Sequence, residues 1–379
     1  MSTVLWLGLV TIALVVGLIA GRSARPAPLT EADDSETDLS ALTQILDVLP
    51  DAAAVVDTSD KVVASSSNCA AMGIIHGDRL APVELRALNR EAHRTKQTVS
   101  KDATIVRNGD SLGDWEARLQ VSPLASGFSL VLAQDVSEER RLNDVRRDFV
   151  ANVSHELKTP VGALSLLAEA IQAADQDVEK ARHFAARMQL EVRRLTDLIS
   201  DLVELSRVQG DAPLRNSKPV PVVDIVNEAV DSMKMAAEKR NIQVTVSSDL
   251  TDGSIFGDEA QLVTALRNLV SNAINYSPEG TKVGVGAQLV GENIEISVTD
   301  QGPGISDGDQ ARIFERFYRV DPARSRETGG TGLGLAIVKH VCANHGGDCS
   351  VWSRIGEGST FTLQFPNYQN NLTTEMGGK

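Results

Sequence analysis

The chain has 379 residues, a formal net charge of −14 and a hydrophobic fraction of 42%. This length and composition predict two or three folded domains and exclude a wholly disordered chain. The acidic balance disfavours direct binding to nucleic acid, and three cysteines without a C-x-x-C pair predict reduced thiols rather than a disulfide framework.

The N-terminus departs from this soluble composition. Residues 4–20 are apolar or small and uncharged, and Arg22 and Arg25 follow them. Such a run lies at the short end of what spans a bilayer, and the basic residues behind it predict that the following chain stays cytoplasmic. A cleaved signal peptide is the alternative, although no basic residue precedes the run. We predict a single-pass anchor in the cytoplasmic (inner) membrane over residues 1–21, with no external sensor domain, and a linker over residues 22–38.

Residues 39–137 have a mixed α/β pattern. Helical spacing of apolar residues from Leu42 to Leu49 is followed by short β-type runs, one further helix and more β-type runs. This order resembles a PAS domain, and the closing DVSEERR resembles the junction through which PAS domains lead into a helix. The resemblance leaves open whether the domain binds a ligand. His76 and His93 are candidate haem ligands without an informative context, and a signal-relay or protein-interaction role is the alternative.

Residues 138–210 predict two long amphipathic helices. Apolar residues recur at steps of three, four or seven from Leu142 to Ile171 and again from Phe184 to Leu205, with a short polar break between the two runs. Two such helices with a short connection form an antiparallel hairpin, which buries little by itself. A symmetric homodimer would complete a four-helix bundle.

The sharpest motif, FVANVSHELKTP, lies on the first of these helices. The apolar seam predicts that His155 faces solvent, where its neutral imidazole is a competent nucleophile. Glu156 can accept a hydrogen bond from one ring nitrogen, and Thr159 lies one turn further on the same face, where its hydroxyl could position a water. Pro160 lacks an N–H and should bend the helix beyond the site.

We predict a glycine-rich α/β domain over residues 215–366 and a polar tail over residues 367–379. In NLVSNAINYSP, Asn268 and Asn272 share a helix face, and amide oxygens suit Mg²⁺. In DQGPG, Asp300 at the end of a strand could accept from an adenine amino group. FERFYR follows, and the glycines of GGTGLGL precede a helix whose N-terminus suits phosphates.

Together these motifs resemble the H, N, G1, F and G2 boxes of histidine kinases (a phosphoacceptor HisKA domain followed by HATPase_c). The ATP-binding part is the α/β sandwich that is also found in Hsp90, gyrase B and MutL, and the H box selects histidine kinases among them. The resemblance implies a multidomain fold: a transmembrane helix, a PAS-like domain, a dimeric four-helix bundle and the ATP-binding sandwich.

The resemblance also implies a role for each matching residue. His155 would be the phosphoacceptor, Glu156 its orienting base, and Asn268 and Asn272 the Mg²⁺ ligands. Tyr276 would stack near adenine. The remaining residues of the ATP site would be Asp300, Gly302, Gly304, Gly330, Thr331, Gly332, Leu333 and Gly334, with Arg319 and Arg324 either touching the γ-phosphate or lying exposed. Asn275 departs from the pattern, since many relatives carry a cation there.

The predicted function is Mg-ATP-dependent phosphorylation of His155 and transfer to an aspartate of a response regulator. The H and G2 regions are similar to the phosphate-responsive PhoR group of actinobacterial kinases, which implies a DNA-binding regulator and a role in phosphate limitation. Hydrolysis of the phosphorylated regulator is a further expected activity. A phosphatase-dominant sensor and a non-catalytic scaffold remain as alternatives.

Overall fold

The computed structural model describes residues 34–368, apart from 107–112, 175–176, 211–213, 215, 249, 251–252 and 322–329. The chain divides into two compact units, one ending at Arg147 and the other beginning at Asp148. Within the described residues, none of the helices combines the length and the apolar character needed to cross a bilayer. The predicted anchor lies outside these residues, as do most of the predicted linker and the tail beyond Tyr368.

The first unit is built on a five-stranded antiparallel sheet in the order β2-β1-β7-β6-β5, with a separate ladder of β3 and β4. Its elements are α1 (Asp34–Asp47), β1 (Ala52–Asp57), β2 (Val62–Ser65), β3 (Ile75–His76), β4 (Arg79–Leu80), α2 (Val83–Thr95), β5 (Val99–Ile105), β6 (Trp115–Pro123) and β7 (Phe128–Asp135).

Strand β1 explains why the sheet carries a helix on each face. Its apolar run is buried throughout, and alternate side chains of a strand point to opposite faces. Ala54 and Val56 join a core that contains Leu88 of α2, whereas Ala53 and Val55 pack in a second core with Leu46 of α1. The sheet is therefore covered on both sides. His93 of α2 hydrogen-bonds Ser129, and His76 is exposed.

Arg140 joins the sheet to the helix that follows it. One guanidinium nitrogen donates to Glu116 of β6 over 2.6 Å, and another donates to Asp102 of β5. The amide of Glu116 donates to Ser137 Oγ over 2.9 Å. The first turn of the following helix is therefore held against the edge of the sheet by polar contacts.

The second unit contains a helical hairpin and an α/β sandwich. Its sheet has the order β13-β14-β12-β11-β9, in which only the β9–β11 pair is parallel, and β8 pairs with β10 separately. The elements are α3 (Ser137–Ala173, which begins in the first unit), α4 (Val178–Val208), β8 (Lys218–Pro221), α5 (Val222–Lys239), β9 (Gln243–Ser248), β10 (Ser254–Gly257), α6 (Glu259–Tyr276), β11 (Lys282–Val290), β12 (Asn293–Asp300), α7 (Asp307–Gln310), α8 (Gly334–Asn344), β13 (Asp348–Arg354) and β14 (Gly358–Pro366).

One hydrophobic core extends from the sandwich to the hairpin. Helices α5, α6 and α8 pack on the sheet, with α6 in contact with both of the others, and α8 also contacts α4. Leu198, Leu205 and Val208 of α4 are buried in the same core as the sandwich, and Phe149 and Leu157 of α3 pack against it. Helix α3 continues through Pro160 to Ala173, so the proline does not end it.

Candidate active site

His155 lies on an exposed face of α3, as the apolar seam predicted, while Leu157 packs against the core. The Thr159 hydroxyl is exposed and donates to the backbone oxygen of His155 over 3.3 Å. A threonine that bonds back to the preceding turn has its side chain held in one orientation. His155 and Thr159 therefore lie on one solvent-facing stretch of a single helix.

Glu156 is paired with Arg319, and this pair brings the hairpin and the sandwich together. Arg319 Nη2 lies 3.0 Å from Glu156 Oε2, and the two side chains are only 11% and 31% exposed. The alternative that Arg319 lies exposed is therefore wrong, and its predicted contact with the γ-phosphate stays a prediction. Partial burial strengthens such a pair relative to one in water.

Next to this ion pair, the FERFYR segment forms one wall of a cavity and α3 forms the other. Phe317 lies 5.9 Å from Phe149 between ring centroids, and the Arg316 guanidinium lies 5.5 Å from the Phe149 ring. The Tyr318 hydroxyl donates to Asp309 over 2.6 Å, and this hydrogen bond fixes the position of Tyr318 within the segment. The cavity is lined by Asn152, His155, Glu156, Arg312, Glu315, Arg316, Phe317 and Tyr318.

Asp300 lies at the end of β12 in a buried position. Burial raises the pKa of its carboxyl, and the amides of Gly302 and Ser359, which donate to Oδ1 over 2.7 and 3.3 Å, act in the opposite direction. Oδ2 accepts none of the hydrogen bonds found among the described residues. A Cβ on Gly302 would stand 2.8 Å from Asp300 Oδ1 and 3.2 Å from the backbone oxygen of Tyr276, so the close approach requires glycine. An acceptor behind a tight backbone fits an adenine amino group.

Asn268 and Asn272 are half-buried on α6, and Asn268 faces the start of α8. A Cβ on Gly334 would lie 3.1 Å from Asn268 Oδ1. The amide oxygen therefore points to the helix N-terminus where phosphates bind most favourably. This donor set fits Mg²⁺, a hard ion that takes oxygen ligands and bridges phosphates.

The GGTGLGL segment contacts both the FERFYR segment and the hairpin. Phe317 N–H donates to the Gly332 oxygen over 2.8 Å, and Gly332 has a φ of +74°. A Cβ on Gly304, whose φ is +76°, would run into the backbone oxygen of Arg354. The Thr331 hydroxyl reaches Asp201 of α4 over 2.6 Å, and the Leu333 amide donates to that hydroxyl over 3.2 Å.

The structure thus groups the sequence-predicted residues into two neighbouring sets in one unit. His155, Glu156 and Thr159 lie on α3, and Arg319 is paired with Glu156. Gly330 and Thr331 line a cavity together with Glu156, Thr159 and Arg319, and the others surround α6, β12 and the start of α8. Arg324 lies outside the described residues. At Asn275, where the sequence departs from the family pattern, Arg240 donates hydrogen bonds to the backbone oxygens of Asn275 (2.7 Å) and Ser277 (3.1 Å). The positive charge of Arg240 therefore caps the C-terminus of α6.

Sequence reasoning missed Asp201, Arg240 and the pair Gln209–His340. Gln209 Nε2 lies 3.0 Å from His340 Nε2, and Asn344 donates 2.7 Å to the Val208 oxygen, which joins the end of α4 to α8. These contacts join residues more than 130 positions apart. No local pattern could therefore have found these two contacts.

Comparisons with known proteins assign families to both parts of this unit. Residues 257–369 match the histidine kinase-, DNA gyrase B- and HSP90-like ATPase family, and residues 145–211 match the His Kinase A (phospho-acceptor) domain. The sensor-like histidine kinase SenX3 of Mycolicibacterium smegmatis is 45% identical over 364 residues, which cover 95% of this chain and 93% of that protein.

Two further relatives are more distant. The phosphate regulon sensor protein PhoR of Pseudomonas aeruginosa is 35% identical over 237 residues, which cover 62% of this chain and 53% of that protein. The crystal structure of histidine kinase ThkA in complex with response regulator protein TrrA is similar with a TM-score of 0.51 and 17% identity, over 86% of this chain and 98% of that one. At this identity the likeness concerns the fold alone.

Proposed function

Because the chain belongs to the sensor histidine kinases and is a protein-histidine kinase, as its H box predicted, we propose that ATP phosphorylates His155 and that the phosphoryl group then passes to an aspartate of a response regulator. The observation that carries this assignment is the cavity next to the FERFYR segment, because it has the exposed His155 on one wall and a segment of the ATP-binding sandwich on the other. A phosphoacceptor has to be accessible both to nucleotide and to a protein partner.

In the proposed reaction an imidazole nitrogen of His155 forms a P–N bond as the bond from the γ-phosphorus to the oxygen of ADP breaks. Glu156 orients the ring by accepting from its other nitrogen, which requires that the carboxylate be shared with, or released from, Arg319. Arg319 then becomes available for phosphate charge. Positioning and neutralisation of charge account for most of the catalysis in phosphoryl transfer.

The nucleotide site is assigned to the residues around α6 and the start of α8. Asp300 accepts from adenine, Tyr276 lies beside the base, and the N-terminus of α8 holds the phosphates with the glycines on either side. Asn268 and Asn272 would hold Mg²⁺, which when bound neutralises charge on the phosphates.

The direct test is incubation of the full chain with γ-labelled ATP and Mg²⁺, in parallel with His155→Gln. We expect label that survives alkali, is lost in acid and is absent from the variant. Nucleotide binding without label in either protein would contradict phosphorylation at His155 and favour a non-catalytic scaffold.

We propose a response regulator as the partner and phosphate limitation as the context. The support is the named complex of ThkA with TrrA and the similarity to the phosphate regulon sensor PhoR. A DNA-binding regulator would turn the phosphoryl signal into transcription. If deletion of the gene leaves the transcriptional response to phosphate starvation intact, the phosphate assignment is wrong.

A second copy of the chain is the proposed partner of the hairpin. Large apolar side chains remain exposed on it, and a symmetric pair of hairpins would bury them as a four-helix bundle. Sedimentation of the purified chain as a monomer at micromolar concentration would contradict this. Among the described residues of the hairpin, the exposed large apolar residues are Leu142, Val145, Val150, Val161, Leu166, Val178, Leu190, Val192, Ile199 and Val203.

For the first unit we propose a PAS-like relay domain behind a membrane anchor over residues 1–21. The support is the antiparallel sheet with helices on both faces and the Arg140 contacts at its exit. Arg140→Ala should change the autophosphorylation rate, whereas Arg141→Ala, an exposed neighbour, should not. Equal effects of the two variants would remove the relay role from Arg140. Recovery of the full chain in the soluble fraction of its native cells would contradict the anchor.

A further inference from the structure

Asp201 is a carboxylate that has no role in the proposed phosphoryl transfer. It lies on α4, and its Oδ2 lies 2.6 Å from the hydroxyl oxygen of Thr331 in the glycine-rich segment. Burial raises the pKa of Asp201, and the hydrogen bond from Thr331 and the charge of Arg267 oppose that rise. Asp201 is half-buried, and a carboxylate that is partly removed from water is costly unless a hydrogen bond or an opposite charge satisfies it.

The contact continues to the end of a helix. Since the Leu333 amide donates to Thr331 Oγ1 over 3.2 Å, the hydroxyl hydrogen remains for Asp201. Leu333 immediately precedes α8, whose N-cap has no other side-chain hydrogen bond. The chain Asp201–Thr331–Leu333 therefore brings a negative charge on the hairpin to the positive end of the helix dipole of α8.

In the proposed nucleotide site the phosphates need the same helix end, because Gly334 and the amide oxygen of Asn268 lie together there. Two anions near one helix N-terminus repel each other, and the repulsion is stronger for half-buried groups such as Asp201 than for groups in bulk water. We infer that Asp201 is a positioning residue that holds Thr331 and the start of α8 against the hairpin in competition with the phosphates of the nucleotide. Docking of the hairpin and binding of ATP are then negatively coupled, and the coupling is reciprocal.

This inference rests on the proposed nucleotide site, and its test separates the two. Affinity for a non-hydrolysable ATP analogue with Mg²⁺ is measured by calorimetry on the full chain carrying His155→Gln, so that no turnover occurs. Asp201→Asn keeps an acceptor oxygen for Thr331 and removes the charge. We expect it to tighten binding by about three- to tenfold, whereas a merely structural role for Asp201 would weaken binding.

Two further variants test whether the change in affinity comes from the charge of Asp201 acting through Thr331. Asp197→Asn removes an equal charge from an exposed position one turn earlier on α4, and should change affinity by less than about twofold. In a Thr331→Val background, Asp201→Asn should have a smaller effect, because the hydroxyl that links the charge to α8 is gone.

Unchanged or weaker binding in Asp201→Asn, or an equal gain in Asp197→Asn, overturns the inference and leaves the nucleotide site standing. If the His155→Gln parent does not bind the analogue at all, the proposed nucleotide site fails and this inference fails with it.

Discussion

Replacing Gly332 by alanine should separate the glycine-rich segment from the FERFYR segment. With a φ of +74°, alanine at this position incurs about 1 to 2 kcal/mol of backbone strain. Its Cβ would also lie 2.8 Å from Phe317 Cα and 2.9 Å from Phe317 C, where the neighbour is backbone and cannot rotate away. Relief of such an overlap costs about 1 to 3 kcal/mol more. The Phe317–Gly332 hydrogen bond is then the contact most directly strained.

The two costs can be separated with a matched control. Gly291, in the turn between β11 and β12, has a φ of +63°, and a Cβ at this position would have no atom within 4 Å. Gly291→Ala thus carries the backbone strain without the overlap. If the free energy of the overlap, about 1 to 3 kcal/mol, is lost entirely from nucleotide binding, Gly332→Ala should bind a non-hydrolysable ATP analogue about 5- to 150-fold more weakly than Gly291→Ala does.

The assay combines calorimetry with hydrogen exchange of the Phe317 amide, which donates to Gly332. We expect faster exchange of this amide in Gly332→Ala only. Equal affinity and equal exchange in the two variants would refute the argument, since the overlap with Phe317 would then have no consequence.

Three further predictions concern Asp300, Thr159 and His345. Asp300→Asn should weaken binding of the ATP analogue by about ten- to hundredfold, because a charged acceptor is lost; unchanged affinity in calorimetry would contradict its role. Thr159→Ala should leave autophosphorylation within about twofold and slow hydrolysis of the phosphorylated regulator about tenfold or more, as measured by loss of label; equal hydrolysis rates would remove Thr159 from that reaction. Burial lowers the pKa of His345, so below its ordinary value of about 6.5 the unfolded chain binds a proton that the folded chain does not, and stability falls as pH falls. The denaturant midpoint should therefore drop between about pH 7 and pH 5.5, and less so in His345→Gln; parallel slopes would show that His345 does not contribute.

The last prediction follows from how His345 is held. The Asp258 amide donates to Nε2 over 3.0 Å, and Nδ1 lies 2.7 Å from the Val341 oxygen, which can only accept. The ring is therefore neutral, with its proton on Nδ1. Gly257 leaves space for it, since a Cβ there would overlap the imidazole.

Local periodicity predicted the helices because it depends on consecutive residues only. The predicted helix between the β-type runs of residues 39–137 is α2, and the apolar repeat from Phe184 to Leu205 lies within α4. Strands β5 and β13 escaped prediction. Both lie at the edge of a sheet, and β5 is largely exposed. In β13 the less exposed positions alternate, but only Cys349 and Val351 among them are apolar, which is too few to stand out in the sequence.

The motifs likewise identified the phosphoacceptor helix and the nucleotide boxes without structural information, since each motif is a short run whose chemistry depends on adjacent residues. The partners that those residues contact are set by the three-dimensional packing and could not be predicted from the motifs. The Arg319–Glu156 pair spans 163 positions, and the Thr331–Asp201 hydrogen bond spans 130. Such pairs depend on how the sandwich packs on the hairpin, and this packing is fixed by one core whose members come from both parts of the unit.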